Sequence, residues 1–398
     1  MNAKLGLKNN WQQFSLLVLI NAFVGGMVGL ERTILPGLAS SEFNIAANTA
    51  ILSFIIVFGI AKAITNYFTG MLANKFGRRN LLIAGWVVGL PVPLIIIFAD
   101  HWYLVILANI LLGINQGLAW SSTVVMKIDL VGEKQRGLAM GLNESAGYLA
   151  VGIVAFFTAW MAEEYGLRPF PFYIGIGFAI IGLLLSVFFV QDTVHHVNAE
   201  STDSNVAKLT NVFKETTWSN PNLGSISQAG LINNLNDGMI WGLFPVLLAT
   251  KGFDLVTIGR IVAIYPIIWG LGQLITGKVA DLTSKKMLLF WGMLMQGVVL
   301  LTIVYTTSFV GFVLIGVVLG IGTALVYPTF LAAIADYTHP QQRAESIGVF
   351  RLWRDLGYAV GAILTGVIAD LIGINYAILS IGLLTVLSSF IIQFRMNK

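Results

Sequence analysis

Cysteine is absent from the 398 residues, so neither disulfides nor thiolate metal sites contribute to this protein. Charge is scarce as well: Asp, Glu, Lys and Arg make up 11% of the chain, against about a quarter in soluble globular proteins. The four histidines, His101, His195, His196 and His339, read as loop residues with no metal-ligand spacing. No nucleophile motif and no Walker sequence is present, which argues against an enzyme and against a pump driven directly by ATP. The net charge of +4 carries no nucleic-acid signal, and neither a cofactor nor a metal is expected. What the chain has in excess is apolar sequence, 57% of its residues, more than a soluble particle of this size can hide.

That excess is arranged in stretches of about 20 residues, the length of a helix that crosses a bilayer. Twelve can be counted, at 14–38, 49–72, 80–99, 103–127, 136–160, 170–190, 224–249, 256–279, 286–306, 309–332, 343–369 and 373–394. They are continuous rather than alternating in polarity, so strands of a barrel are excluded and the fold class is all-α and membrane-embedded. The first span follows a basic stretch but is too long for a cleaved signal peptide. Sixteen of the 23 Lys and Arg, Lys127 and Lys398 among them, fall at the termini and around even-numbered loops, and three (Arg168, Lys251, Arg260) near odd-numbered ones. By the positive-inside rule both termini are expected in the cytoplasm.

The longest polar stretch, 191–222, divides the chain into an N-terminal bundle (1–190) and a C-terminal bundle (223–398) joined by a cytoplasmic linker. Val206, Leu209, Val212 and Phe213 in it are spaced for a short surface helix. The two sides repeat each other at an offset of 207 residues. GMLANKFGRR (70–79) aligns with GKVADLTSKK (277–286), Asn66 with Gln273, Thr69 with Thr276, Gly113 with Gly320, Asp129 with Asp336, Gln135–Arg136 with Gln342–Arg343 and Gly141 with Gly348. Internal repetition in a polytopic protein marks a carrier built from two similar bundles around a midplane site.

GMLANKFGRR resembles the Gly-x-x-x-Asp-x-x-Gly-Arg-Lys/Arg loop signature of the major facilitator superfamily, and Gly277, Asp281 and Lys285–Lys286 resemble its degenerate second copy. The resemblance covers the whole chain. It implies twelve helices in two six-helix bundles and a monomeric permease of the bacterial cytoplasmic membrane. It also implies alternating access for a small-molecule substrate, with protons as the coupling ion. The residues expected to gate are Lys62, Asn74, Arg78, Asp129, Arg136, Asp281, Asp336 and Arg343. The sequence departs from the family at Asn74, where the signature is acidic, so either Asp281 carries the gating role or Asn74 acts by neutral hydrogen bonds. An antiporter's Arg in span four is Gly113 here, and span five lacks the Gly-Pro signature.

A charge inside the bilayer is costly unless paired or wetted, so each one is a functional candidate. Arg32, Lys62, Arg351 and Arg354 face Glu31, Glu144, Asp237 and Asp355 in number, and the balance hides the sign of any substrate. Arg351, Arg354, Asp355 and Tyr358 share one face of span eleven. Either Arg351 and Asp355 satisfy each other, or one Arg pairs with Asp355 while another faces the cavity for an anionic or polar group; Lys62, at similar depth, could also meet Asp355 across the halves. Glu144, with no basic residue near it in span five, reads as an unpaired titrating carboxylate, or else as a neutral acid bonded to Gln273. Span seven carries Asn233, Asn234, Asp237 and Trp241 on a polar face that either meets water and substrate or glues helices together. Gly238, Gly242 and Pro245 are expected to weaken that helix. Asn21 and Arg32 share a face of span one; Asn115, Gln116, Trp120, Tyr265, Trp269 and Tyr327 make aromatic and amide strips. These residues form the expected substrate cavity, with Glu144, Asp237 and Asp355 as proton-coupling acids. The function that follows is secondary transport of a small amphipathic or anionic organic solute. The alternatives are efflux by proton antiport, or a lipid-moving or sensing variant of the same fold.

Overall fold

The computed structural model describes residues 4–32, 34–45, 53–203, 206–253 and 255–397. Lys398 and the start of the second expected span therefore lie outside the described residues. Among the described residues twelve long helices run back and forth. In the first half they are α1 (Trp11–Arg32), α2 (Ser53–Phe76), α3 (Arg78–Phe98, two segments meeting at Leu90), α4 (Trp102–Val131), α5 (Arg136–Tyr165) and α6 (Phe170–Phe188). In the second half they are α7 (Pro221–Thr250), α8 (Leu255–Leu282), α9 (Lys285–Ile303), α10 (Phe309–Asp336), α11 (Pro340–Ile372) and α12 (Ile374–Arg395). Among the described residues, eleven helices are long and apolar enough to cross a membrane. The exception is α7, as long as its partners at 30 residues but diluted by its amides and Asp237. It runs unbroken through Gly238, Gly242 and Pro245. Gly238 serves close approach rather than flexibility: a β-carbon there would stand 2.8 Å from the Tyr358 carbonyl oxygen.

On the side where the linker lies, α4 and α10 outrun their apolar segments and reach Asp129 and Asp336, while α5 begins at Arg136 and α11 carries Arg343 in its first turn. The start of α1 and the residues after α12 lie on this same side: Gln13 donates to the Phe189 carbonyl and the Asn397 amide to Asn222. The linker carries one helix at Val194–Asp203, earlier than expected and including His195 and His196. A helical turn at Val212–Lys214 runs on to Ser219, so that of the four residues expected on a surface helix Val212 and Phe213 are helical. Around Leu209 the chain is not helical, because its amide and carbonyl both pair with the Gln342 side chain on α11 (2.8 and 2.9 Å). A side chain there does what a helical turn would have done.

The two halves meet through α2 against α11 and through α8 against α5, and the repeat makes one contact twice. A β-carbon on Gly70 would come within 2.9 Å of the Gly348 Cα, and one on Gly277 within 2.8 Å of the Gly141 Cα. These are the same pair at the 207-residue offset, with the halves exchanged. Close helix crossing in a lipid-embedded bundle needs small residues where backbones touch.

Candidate functional site

On the linker side the repeat builds a second exchanged pair, this one of charges. Arg78 Nε lies 3.3 Å from Asp129, and Arg343 reaches the same carboxylate at 4.0 Å from the other half. Their counterparts repeat the motif: Lys285 and Arg136 both lie 2.8 Å from Asp336. Glu200 of the linker helix joins the two sets, 2.5 Å from Arg136 and 2.9 Å from both terminal nitrogens of Arg343. Asn74 and Asp281 hold equivalent positions with different chemistry. Asp281 accepts from the Gly137 and Leu138 amides (2.7 and 2.9 Å) at the N-terminus of α5, where a negative charge meets the helix dipole. Asn74 instead donates to the Gln341 carbonyl at the start of α11 (2.8 Å). Asp281 thus bonds as a carboxylate and Asn74 as a neutral amide, one in each half.

Glu200 was not singled out by its sequence, and nothing but the repeat of the arginines points to it. Burial would raise its pKa, but the hydrogen bonds and charges of Arg343 and Arg136 outweigh burial and hold it below its ordinary 4.5. A depressed carboxyl contributes stability above its ordinary pKa and loses it only as pH falls through the lower, folded value. The bridge is therefore expected to persist throughout the neutral range. Glu200→Gln is expected to speed amide exchange in 194–203 by roughly tenfold to a hundredfold, since hydrogen bonds to charged groups contribute roughly 1.5–3 kcal/mol. Exchange equal to that of the parent protein would show that the bridge does not hold the linker.

At the midline a second cluster is buried between the halves. Asp355 receives Arg354 at 3.0 Å, Lys62 at 3.6 Å, Asn234 at 3.2 Å and the Asn66 amide. Lys62 thus meets Asp355 across the halves, whereas the Arg351–Asp355 pair does not form. Arg351 turns instead to α5, where its Nη2 lies 3.6 Å from Glu144. Glu144 is accordingly not the unpaired acid expected from span five, nor bonded to Gln273. Its Oε1 accepts from Asn143 (2.5 Å) and Trp120 (3.2 Å), while the Gln273 amide has no partner. Neighbours in sequence missed this pairing because Glu144 and Arg351 are equivalent positions of the two repeats, brought together where the halves face each other.

The offset also exposes an asymmetry. Lys62 and Asp355 correspond to Trp269 and Tyr148, and the second pair also touches, with ring centroids 3.7 Å apart. One crossing is held by charge and the other by aromatic stacking. Trp120 and the equivalent Tyr327 flank Tyr148 at 5.3 and 5.6 Å, Tyr265 stacks on Trp269 at 5.6 Å, and Trp241 lies 6.3 Å beyond it. The Arg354 guanidinium sits 4.0 Å over the Tyr327 ring, and Lys62 lies near the rings of Trp120 and Tyr358. An aromatic box with a cation over its face can hold an amphipathic solute by its apolar body and an anionic group.

Other expected cavity residues are placed elsewhere. Asn233 donates to Gln296 on α9 (2.9 Å), and Asn236 shares that acceptor, so this part of the polar face braces helices within one bundle. Asn115 likewise braces α4 on the Gly85 carbonyl of α3 (2.9 Å), and Gln116 donates to the Val24 carbonyl of α1 (2.7 Å). Asn21 bonds the Asn143 carbonyl and Thr123. Arg32 lies over Phe58, toward the far end of α1. Asp237 accepts from the Tyr265 hydroxyl at 2.5 Å, and its other oxygen has no partner. The polar face of α7 does not meet water in this conformation: Asn233, Asn234, Asn236 and Asp237 are all wholly buried. Lys127, counted with the loop-edge cations, is also wholly buried, because α4 continues to Val131.

Two matched six-helix bundles enclosing a charged midline, with interlocked charges on one side, define a membrane carrier. The chain belongs to the major facilitator superfamily, whose family model matches residues 15–225 and 226–396. The proton-coupled antiporter flippase LtaA of Staphylococcus haemolyticus is 26% identical over 378 residues, covering 92% of this chain and 88% of that protein. LtaA of Staphylococcus epidermidis is 25% identical over 375 residues, with 91% and 88% covered. Among solved structures, the human organic anion transporter MFSD10 (TETRAN) shares the fold at a TM-score of 0.80 and 16% identity, over 96% of this chain and 99% of that one.

Proposed function

We propose that the chain is a proton-coupled secondary carrier that moves an anionic, amphipathic organic solute by alternating access. In this reading it acts as a monomer in a bacterial cytoplasmic membrane, with the linker side and both termini in the cytoplasm. The observation that carries it is the buried midline cluster, whose ion pairs Lys62–Asp355 and Arg351–Glu144 each join one half to the other. Pairs of this kind must break when the halves separate, and each freed carboxylate is then exposed to protons and each freed cation to solute. Arg354, over Tyr327 and beside Tyr148, is the cation best set to receive the solute's anionic group. Asp237, Glu144 and Asp355 are the proton-binding groups. The conformation described here is closed at the linker side and sealed at the midline, so transport requires a second state in which the exchanged glycine and charge contacts part.

Proton coupling is supported by the relatives named proton-coupled antiporter flippases. Their name also favours a second reading, in which the anionic group is a lipid head group; Arg351 and Arg354 are buried, however, and form no lateral opening in this conformation. Proteoliposomes loaded with a pH-sensitive dye separate the readings. A soluble anionic amphiphile such as decyl phosphate is expected to drive proton movement, whereas the lipid reading expects protons to move only with the transfer of a labelled anionic lipid between leaflets. No proton movement with either would overturn the assignment.

A further inference from the structure

We propose that Lys127 and Arg351 form an oxyanion subsite on the linker side of the aromatic box, receiving a phosphate or carboxylate group of the solute. The inference rests on reading the chain as a carrier of an anionic solute and adds a residue which that reading does not use.

Lys127 is wholly buried, and its ammonium donates to the side-chain oxygen of Asn143, a neutral acceptor. Among the described residues it makes no ion pair. Arg351 is buried too; its Nη2 faces Glu144 at 3.6 Å, while neither Nη2 nor Nε makes a hydrogen bond. Asn143 ties the group together, accepting from Lys127 and donating to Glu144 at 2.5 Å. The two buried cations thus lie beside a single carboxylate that pairs with Arg351 alone, which leaves Lys127 without a paired counter-charge where burial is most costly. Unfilled guanidinium donors beside an ammonium suit a group with several acceptor oxygens, since the planar fork and the point charge can engage different oxygens of one anion.

The repeat gives an independent argument. Glu144 and Arg351 occupy equivalent positions, so their pairing belongs to the shared framework of both halves. The counterpart of Lys127 is Ile334, wholly buried in α10. The helix packing common to the two bundles therefore does not require a cation at this place. Its charge is an addition to the first half alone, as a charge serving a ligand would be.

Purified protein in neutral detergent, followed by tryptophan fluorescence, tests this with decyl phosphate, decanoate and decyltrimethylammonium as probes. Lys127→Met is expected to weaken decyl phosphate binding tenfold or more and to leave the cationic probe unaffected, while Lys127→Arg restores the anion. If Lys127 served only to neutralise Glu144, the double variant Lys127→Met with Glu144→Gln would recover binding; the subsite requires that it does not. Lys127→Gln, which keeps a donor for Asn143, replaces Met should that variant not fold. Unchanged decyl phosphate affinity in the Met or Gln variant, or recovery in the double variant, overturns the subsite. Proton movement with decyl phosphate in vesicles of the parent protein would still stand in that case, so the two failures are distinguishable. Comparison of decanoate with decyl phosphate decides between carboxylate and phosphate as the preferred group.

Discussion

Asp355→Ala is expected to destabilise the closed arrangement of the two halves by about 3–5 kcal/mol, the loss typical when one partner of a buried ion pair is removed. The size follows from what the carboxylate holds: Arg354 at 3.0 Å, Lys62 at 3.6 Å, and the amides of Asn66 and Asn234. Four donors from α2, α7 and α11 lose their acceptor at once, and two of them are cations with almost no access to solvent. Arg354 keeps the Tyr327 ring and the Tyr148 hydroxyl, so Lys62 suffers most. Adding Lys62→Met to Asp355→Ala is therefore expected to recover much of the loss. Thermal unfolding in detergent, together with cross-linking between Cys pairs introduced at the linker ends of α2 and α11, reads both quantities. A single variant as stable and as closed as the parent would remove Asp355 from its place as the keystone of this crossing.

Asp237→Asn is expected to have the opposite profile, with stability kept and proton coupling reduced to the level of empty vesicles. Tyr265 donates to one Asp237 oxygen at 2.5 Å, and an amide oxygen accepts from that hydroxyl equally well. The second oxygen has no partner, so the structure spends no bond on it that Asn would forfeit. What Asn cannot do is take up and release a proton. The measurement is solute-driven proton movement in proteoliposomes beside a melting curve of the same preparation. Coupled transport at the parental rate would exclude Asp237 as a proton carrier and leave Glu144 and Asp355 to account for coupling.

The two residues differ in a way that local sequence does not reveal. Both are acids midway along a long, largely apolar helix, and both satisfy the rule that intramembrane charge marks function. Asp355 is saturated with donors and Asp237 is half-free, a distinction that depends on which helices pass by. The same holds for the amides of α7. Asn233 and Asn236 turn to Gln296 and brace a bundle, whereas Asn234, one residue on from Asn233, reaches Asp355 at the midline. Helical periodicity assigns each to a face, but the identity of the neighbour on that face is a property of the assembly.

Composition and repetition alone determined the class of this protein. Apolar runs of bilayer length admit only helices, because backbone polar groups in lipid must be satisfied within the segment. The 207-residue repeat then dictated that contacts come in exchanged pairs, as Gly70 with Gly348 and Gly277 with Gly141 do. Only the tertiary structure decided which equivalent positions meet, as Glu144 and Arg351 do, and where the symmetry is broken: a charged crossing opposite an aromatic one, Glu200 reaching from the linker to both arginines, and Lys127 drawn inside. The physical reason is range. Propensity, hydropathy and periodicity act within a few turns of helix. The partner of a buried charge is chosen by packing between segments roughly 200 residues apart, where desolvation makes the nearest complementary group decisive.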